Sequence, residues 1–158
     1  MAAPFGHGFV GMAIARRMGV RSPLGLAAAF FAASLPDVDV PIGAIIGKDI
    51  HRGPTHTPNF ALTAGMLAGM TGILAAESVE GERDLIYDAL TGAAVVGSHV
   101  LLDKAPYFPD VNIGPRLIGL PVANWIIDAI TWGAIAYAIW PRDDAPAPDH
   151  PSPPPLPA

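Results

Sequence analysis

Long apolar runs, punctuated by proline, glycine and short polar clusters, divide the chain into five helical segments. Residues 4–18, PFGHGFVGMAIARRM, are apolar through Phe9, Val10, Met12, Ala13 and Ile14, and Pro4 suits the first turn of a helix. Gly19 is placed to end it. Ser22 and Pro23 then supply an N-cap and a first-turn proline for a second helix running to about Leu35. Pro36 stops that helix, because proline has no N–H and its ring clashes with the preceding turn. Pro41, Gly43 and Gly47 make residues 40–50 a short helical turn or an irregular loop.

Residues 57–76 form a twenty-residue stretch without a charge, the length a bilayer crossing requires. Gly65 and Gly69, four apart, leave room for another helix to approach closely. The charged run ESVEGERD at 77–84 reads as a solvated turn. A fourth helix follows from about Arg83 to Lys104, then a loop rich in proline and glycine over 105–120. Residues 121–140 read as a fifth helix, in which Trp125, Trp132, Tyr137 and Trp140 suit anchoring at a membrane interface. From Pro141 the composition changes abruptly. Eight prolines in residues 141–158 predict a disordered or polyproline-II tail after a helical domain over 1–140, and His150 in that tail has no assigned role.

Composition moves this pattern from water to lipid. The chain is 51% hydrophobic and 15% charged, against about 25% charged for an ordinary soluble domain. The predicted fold class is therefore all-α: a multi-pass helical membrane bundle of about four or five helices. Arg16, Arg17 and Arg21 follow the first apolar stretch rather than precede it, which is not the order of a cleavable signal peptide. The net charge is −5 and no basic run occurs, so nucleic acid is not an expected partner. There is no cysteine, so any metal site must use nitrogen and oxygen ligands.

Chemistry gathers in residues 34–58, SLPDVDVPIGAIIGKDIHRGPTHTP. Asp37 and Asp39 lie in LPDVD; His51, Arg52 and His56 lie in HRGPTH. Carboxylates and imidazoles at this density are what a hydrolytic metal site needs. The plainer alternative is a polar loop capped by aspartate and proline. His99 and Asp103 are four apart on a helix, share a face and can hold one ion. If the helices alternate in direction, His7, Asp37, Asp39, His51, His56, His99 and Asp103 all fall at one end of the bundle. Arg16, Arg17, Arg21 and the acidic turn fall at the other. His7 reads equally as a ligand or as a hydrogen-bonded residue near a helix start. Arg52 is either an anion clamp or an ion-pair partner of Asp37, Asp39 or Asp103, the latter being favoured. Asp128 is a carboxylate within a span, one turn after Asn124; it is functional or forms a buried pair with that residue. Lys104 marks the membrane interface.

His7 with Gly11, then LPDVD, then HRGPTH followed by Thr57, then HVLLD, resembles the membrane-bound metal-dependent hydrolase family. That family is also described as LexA-binding, inner-membrane-associated hydrolases and is distantly similar to zinc-dependent phospholipase C. The resemblance covers about residues 5–104, with Thr57 where the family more often has serine, and the segment after Asp103 departs from the family pattern. It implies an inner-membrane protein that binds metal through His7, Asp37, Asp39, His51, His56, His99 and Asp103.

The leading expectation is hydrolysis of a phosphoester or lipid-derived substrate, small-molecule or lipid-like. One or two divalent ions would serve it, zinc first, with manganese or iron as alternatives. His51, His56, His99 and Asp103 are the core ligands; Asp37 or Asp39 completes the site or acts as general base. Arg52 stabilises developing negative charge. The alternative is a non-catalytic membrane protein whose His/Asp cluster binds metal or a partner structurally. A transporter is disfavoured because the polar residues gather at one end rather than mid-span. A slight excess of Arg and Lys puts the arginine end in the cytoplasm.

Overall fold

The computed structural model describes residues 4–74, 84–104, 114–117 and 120–142. Six α-helices run in order: α1 (Pro4–Arg17), α2 (Pro23–Ala33), α3 (Asp39–Ile46), α4 (Pro58–Met70), α5 (Leu85–Leu102) and α6 (Val122–Ile139). One 3-10 turn, Leu35–Val38, joins α2 to α3, and another, Pro54–His56, leads into α4. Arg116–Leu117 pairs antiparallel with Leu120–Pro121 as a minimal ladder. The fold is thus helical, as composition and pattern predict. The charged turn at 77–83, loop residues 105–113 and tail residues 143–158 lie outside the described residues.

The helix starts follow from local chemistry. Ser22 Oγ accepts from the Gly25 amide at 3.0 Å, with Pro23 at the first position. Thr57 Oγ1 does the same for Phe60 at 3.2 Å ahead of Pro58. Asp84 Oδ1 accepts from Ile86 and Tyr87 at 2.9 and 3.1 Å. Gly19, at φ 89°, closes α1.

Two elements differ from the sequence reading. Residues 39–46 form a true α-helix, which raises the number of helices from about five to six among the described residues. Pro41 sits in its first turn, where no intrahelical donor is needed, and Gly47 closes it at φ 66°. In contrast, the uncharged stretch 57–76 is not one twenty-residue span. Its helix ends at Met70 after 13 residues. The Thr71 hydroxyl donates to the Ala68 carbonyl at 2.7 Å and Gly72 turns the chain at φ 83°. Leu74 then folds back into the core beside Val20 and Ala29.

Small residues set the packing. Ala61, Gly65 and Gly69 form the buried stripe of α4, and it lies against α5. A Cβ on Gly69 would stand 1.9 Å from the Asp88 carbonyl, and one on Gly65 would stand 2.5 Å from that of Gly92. The two backbones therefore touch, as the Gly65/Gly69 spacing predicts. α1 packs against α2, α5 and α6.

The core is built of Ala15, Val20, Ala29, Ala33, Val95 and Val96, all wholly buried. The large apolar side chains point outward instead: Leu24, Phe31, Leu67, Ile86, Leu101 and Ile130 are all more than half exposed. Such an exterior is costly in water and suited to acyl chains. α5 and α6, 18 residues each, are long and apolar enough to cross a membrane. At 1.5 Å per residue each reaches about 27 Å. α2 with residues 35–46 makes a third candidate crossing, bent by 57°.

Candidate metal centre

The residues that cluster put the start of α1, the end of α2, the start of α4 and the end of α5 on the same side. His7 enters from the first turn of α1, Asp37 from the 3-10 turn after α2, and Asp39 from the start of α3. His51 and Arg52 come from the loop before α4, His56 from the second 3-10 turn, and His99 and Asp103 from the end of α5. The opposite end holds Arg17, whose guanidinium donates to the Ile139 carbonyl at the close of α6. All seven histidines and aspartates named from the sequence meet in one cluster. Three overlapping sets have ligand atoms close enough to share an ion: Asp37, Asp39, His51 and His56; His7, Asp37 and His99; His56, His99 and Asp103.

Asp39 organises the loop. It is buried, and four groups converge on its carboxylate. His51 Nδ1 lies 3.0 Å from Oδ1. The Arg52 amide at 3.1 Å and the Thr55 hydroxyl at 2.8 Å donate to Oδ2, and His56 Nδ1 lies 3.1 Å from it. Arg52 reaches this position with φ 63°, a left-handed conformation rarely adopted by residues with a side chain. His51 thus carries its proton on Nδ1, towards Asp39, while His56 Nδ1 donates at 3.1 Å to the Thr55 hydroxyl, whose own proton goes to Asp39; each ring, as a neutral imidazole, keeps a lone pair on Nε2.

His99 arrives at the same state by another route. α2 ends at Ala33, so the Ala33 carbonyl has no partner within its helix. His99 Nδ1 donates to it at 2.8 Å, which leaves Nε2 as the acceptor. That nitrogen faces His56 Nε2 at 3.3 Å. Asp37 Oδ1 lies 3.4 Å from His99 Nε2 and 3.5 Å from His56 Nε2, and Asp103 Oδ2 lies 3.4 Å from His56 Nε2. Lone pairs of two rings therefore meet carboxylate oxygens, an arrangement that repels itself unless a cation neutralises it. The spacing fits one: in a tetrahedral zinc site with bonds near 2.05 Å, ligand atoms stand about 3.3 Å apart.

His7 stacks on His99 with ring centroids 3.6 Å apart. Its Nε2 lies 3.4 Å from Asp103 Oδ1 without the alignment of a hydrogen bond. Neither nitrogen of this fully buried ring has a hydrogen-bond partner among the described residues. Leaving a buried polar atom unpaired costs about 1–3 kcal/mol. A buried ring with both nitrogens unpartnered among the described residues is a second observation that fits a metal ligand. Arg52 is half exposed, with Nε 3.7 Å from Asp103 Oδ2, so the expected ion pair is present and its guanidinium lies on the rim.

Burial pushes the His56 ring below the usual imidazole range; Asp39 and Asp103 oppose this without reversing it. Burial alone would raise the Asp103 carboxyl, but His7, His99 and Arg52 beside it outweigh burial and hold it below the usual carboxylate value. Both shifts favour the ligating forms, neutral imidazole and ionised carboxylate.

Thr55 was not singled out from the sequence, and its only signal was its place between Pro54 and His56. Asp88, buried in α5, was also passed over; a carboxylate inside an apolar helix is itself a signal. Asp128 packs against Gly6 of α1 and belongs to none of the His/Asp groups able to share an ion among the described residues.

Residues 1–141 match the family model described as YdjM inner membrane protein. No curated protein and no solved structure matches the chain. The chain belongs to that family and is an inner-membrane protein associated with the lipid bilayer.

Proposed function

We propose that this member of the YdjM inner membrane protein family is a metal-dependent hydrolase acting on a phosphoester or lipid-derived substrate. The observation that carries the reading is the meeting of ring nitrogens and carboxylate oxygens: His56 Nε2 and His99 Nε2 stand 3.3 Å apart, Asp37 Oδ1 lies 3.4–3.5 Å from both, and Asp103 Oδ2 lies 3.4 Å from His56 Nε2. His56, His99 and Asp103, with His7, His51 and Asp37 beside them, would hold zinc, or manganese or iron, as one ion or two. A divalent ion in that place would supply Lewis acidity and a water made acidic near neutral pH.

The chain's own residues do the rest. Asp39 orients His51 directly through its Nδ1 proton, and His56 through the Thr55 hydroxyl between them, rather than offering a free oxygen. Asp37, partly exposed and without a donor on Oδ1, is placed to take a proton from an incoming water. Arg52, on the rim, binds the anionic part of the substrate and offsets charge that develops during attack.

A second reading has its own support. His7 and His99 are wholly buried and join α1 to α5, while His99 also ties down the end of α2, so the cluster could be a structural staple. Purified protein, metal-loaded and assayed against ester and phosphoester panels, separates the two. The hydrolase reading expects turnover that His51→Ala and Asp103→Ala abolish while helical content persists. Absence of turnover on every substrate from folded, metal-loaded protein decides for the staple.

A further inference from the structure

The feature left unexplained is α3, an eight-residue helix that carries a site residue on one side and bare apolar surface on the other. Asp39 turns inward, whereas Val38, Val40, Ile42, Ile45 and Ile46 are exposed, Ile45 to 84%. This surface continues the exposed apolar face of α2, which includes Leu24 and Phe31. At 1.5 Å per residue α3 is about 12 Å long, far short of a hydrocarbon core of about 30 Å. The chain also leaves and returns at one level. It departs at Asp39 and comes back to bond the same carboxylate through His51 and Arg52. In between, exposed Lys48 and Asp49 follow the helix directly, which keeps its far end near water. A helix with polar groups at both ends, an apolar flank and a 57° bend from α2 is suited to lying in an interface.

We propose that α3 lies at the boundary between headgroups and acyl chains, and that it holds the Asp37–Asp39 side of the site against the anionic headgroup of a bilayer lipid. The half-exposed Arg52 guanidinium on the rim is the group that would receive that headgroup. The ligand half of this statement rests on the hydrolase reading; the seating of α3 does not.

The chain has no cysteine, so single spin labels can be placed without background. In nanodiscs, labels at Ile45→Cys, Lys48→Cys and Ile130→Cys are compared for collision with oxygen and with a water-soluble nickel complex. The expected depth at 45 lies between a wet 48 and a lipid-buried 130. A label at 45 as wet as that at 48, or as deep as that at 130, overturns the seating. For the ligand, Ile45→Glu with Ile46→Glu should cut hydrolysis of a phosphatidate in vesicles at least about tenfold and leave a soluble phosphomonoester within about twofold. Equal loss or no loss on both overturns the headgroup assignment. If wild-type protein cleaves neither, the hydrolase reading and the ligand half fall together, and the spin labels alone decide the seating.

Discussion

Replacing Asp39 by asparagine separates positioning from ligation. Two donors meet Oδ2, namely the Arg52 amide and the Thr55 hydroxyl, which itself accepts from His56 Nδ1, and one, His51 Nδ1, meets Oδ1. Asparagine has one oxygen and one NH2. Its oxygen is best spent on the two donors at Oδ2, which turns the NH2 towards His51. Two N–H groups cannot face each other, so His51 must move its proton to Nε2 and lose the lone pair there. His56 keeps its tautomer. Disturbing such an outer carboxylate commonly weakens metal binding about 10- to 100-fold, or about 1.4–2.7 kcal/mol. Loss of the charge on the two retained bonds, each of the charge-assisted kind, removes a further part of the stability of the loop. The assay is zinc competition against a chromophoric chelator, with 15N spectra of the histidine rings to read the tautomers. The expected result is weakened but retained binding with His51 switched to the Nε2–H form. Unchanged affinity with unchanged tautomers refutes the reasoning. Loss of an oxygen from the metal's coordination shell, with the tautomers intact, would make Asp39 a ligand instead.

Three further outcomes follow from the same geometry. Gly69→Ala, whose Cβ would stand 1.9 Å from the Asp88 carbonyl, should force α4 from α5 and cost about 3 kcal/mol in unfolding measured in detergent. His99→Ala removes a core ligand and frees the Ala33 carbonyl; zinc retained through gel filtration should fall to background, whereas Lys104→Ala at the exposed end of α5 should leave it unchanged. The third concerns acid. The His56 ring titrates lower in the fold than in the unfolded chain, so the fold binds its proton less readily. The stability this contributes is present above about pH 6.5 and is lost as pH falls through the lowered value; metal-free protein should unfold more easily at pH 5 than at pH 7.5, and His56→Gln should flatten that dependence.

The sequence made the gathering of the site legible because helix direction alternates and the polar residues sit at alternate segment ends. Ser22–Pro23 and Thr57–Pro58 announced their helix starts through the usual cap chemistry. Gly65 and Gly69 announced a close neighbour but not that it would be α5. The length of α4 was not legible, since Thr71 and Gly72 carry no charge and hydropathy reads straight through them. Nor were the unlike environments of Asp37 and Asp39. They are two residues apart in one motif, yet one faces the rings of His56 and His99 while the other is enclosed by the His51–His56 loop. That difference arises from the return of the chain at Arg52, whose positive φ no residue type advertises. The tautomer of His99 likewise depends on where α2 ends, because only the last turn leaves a carbonyl for it.

The central claim is that His56, His99 and Asp103 share a divalent cation beside Asp37. X-ray absorption at the metal edge, on protein purified from membranes and quantified by elemental analysis, tests it most directly. The account predicts at least one tightly held ion per chain in a shell of nitrogen and oxygen with at least two imidazoles. Folded protein that takes up neither zinc, manganese nor iron, or a metal shell without imidazole, would contradict it.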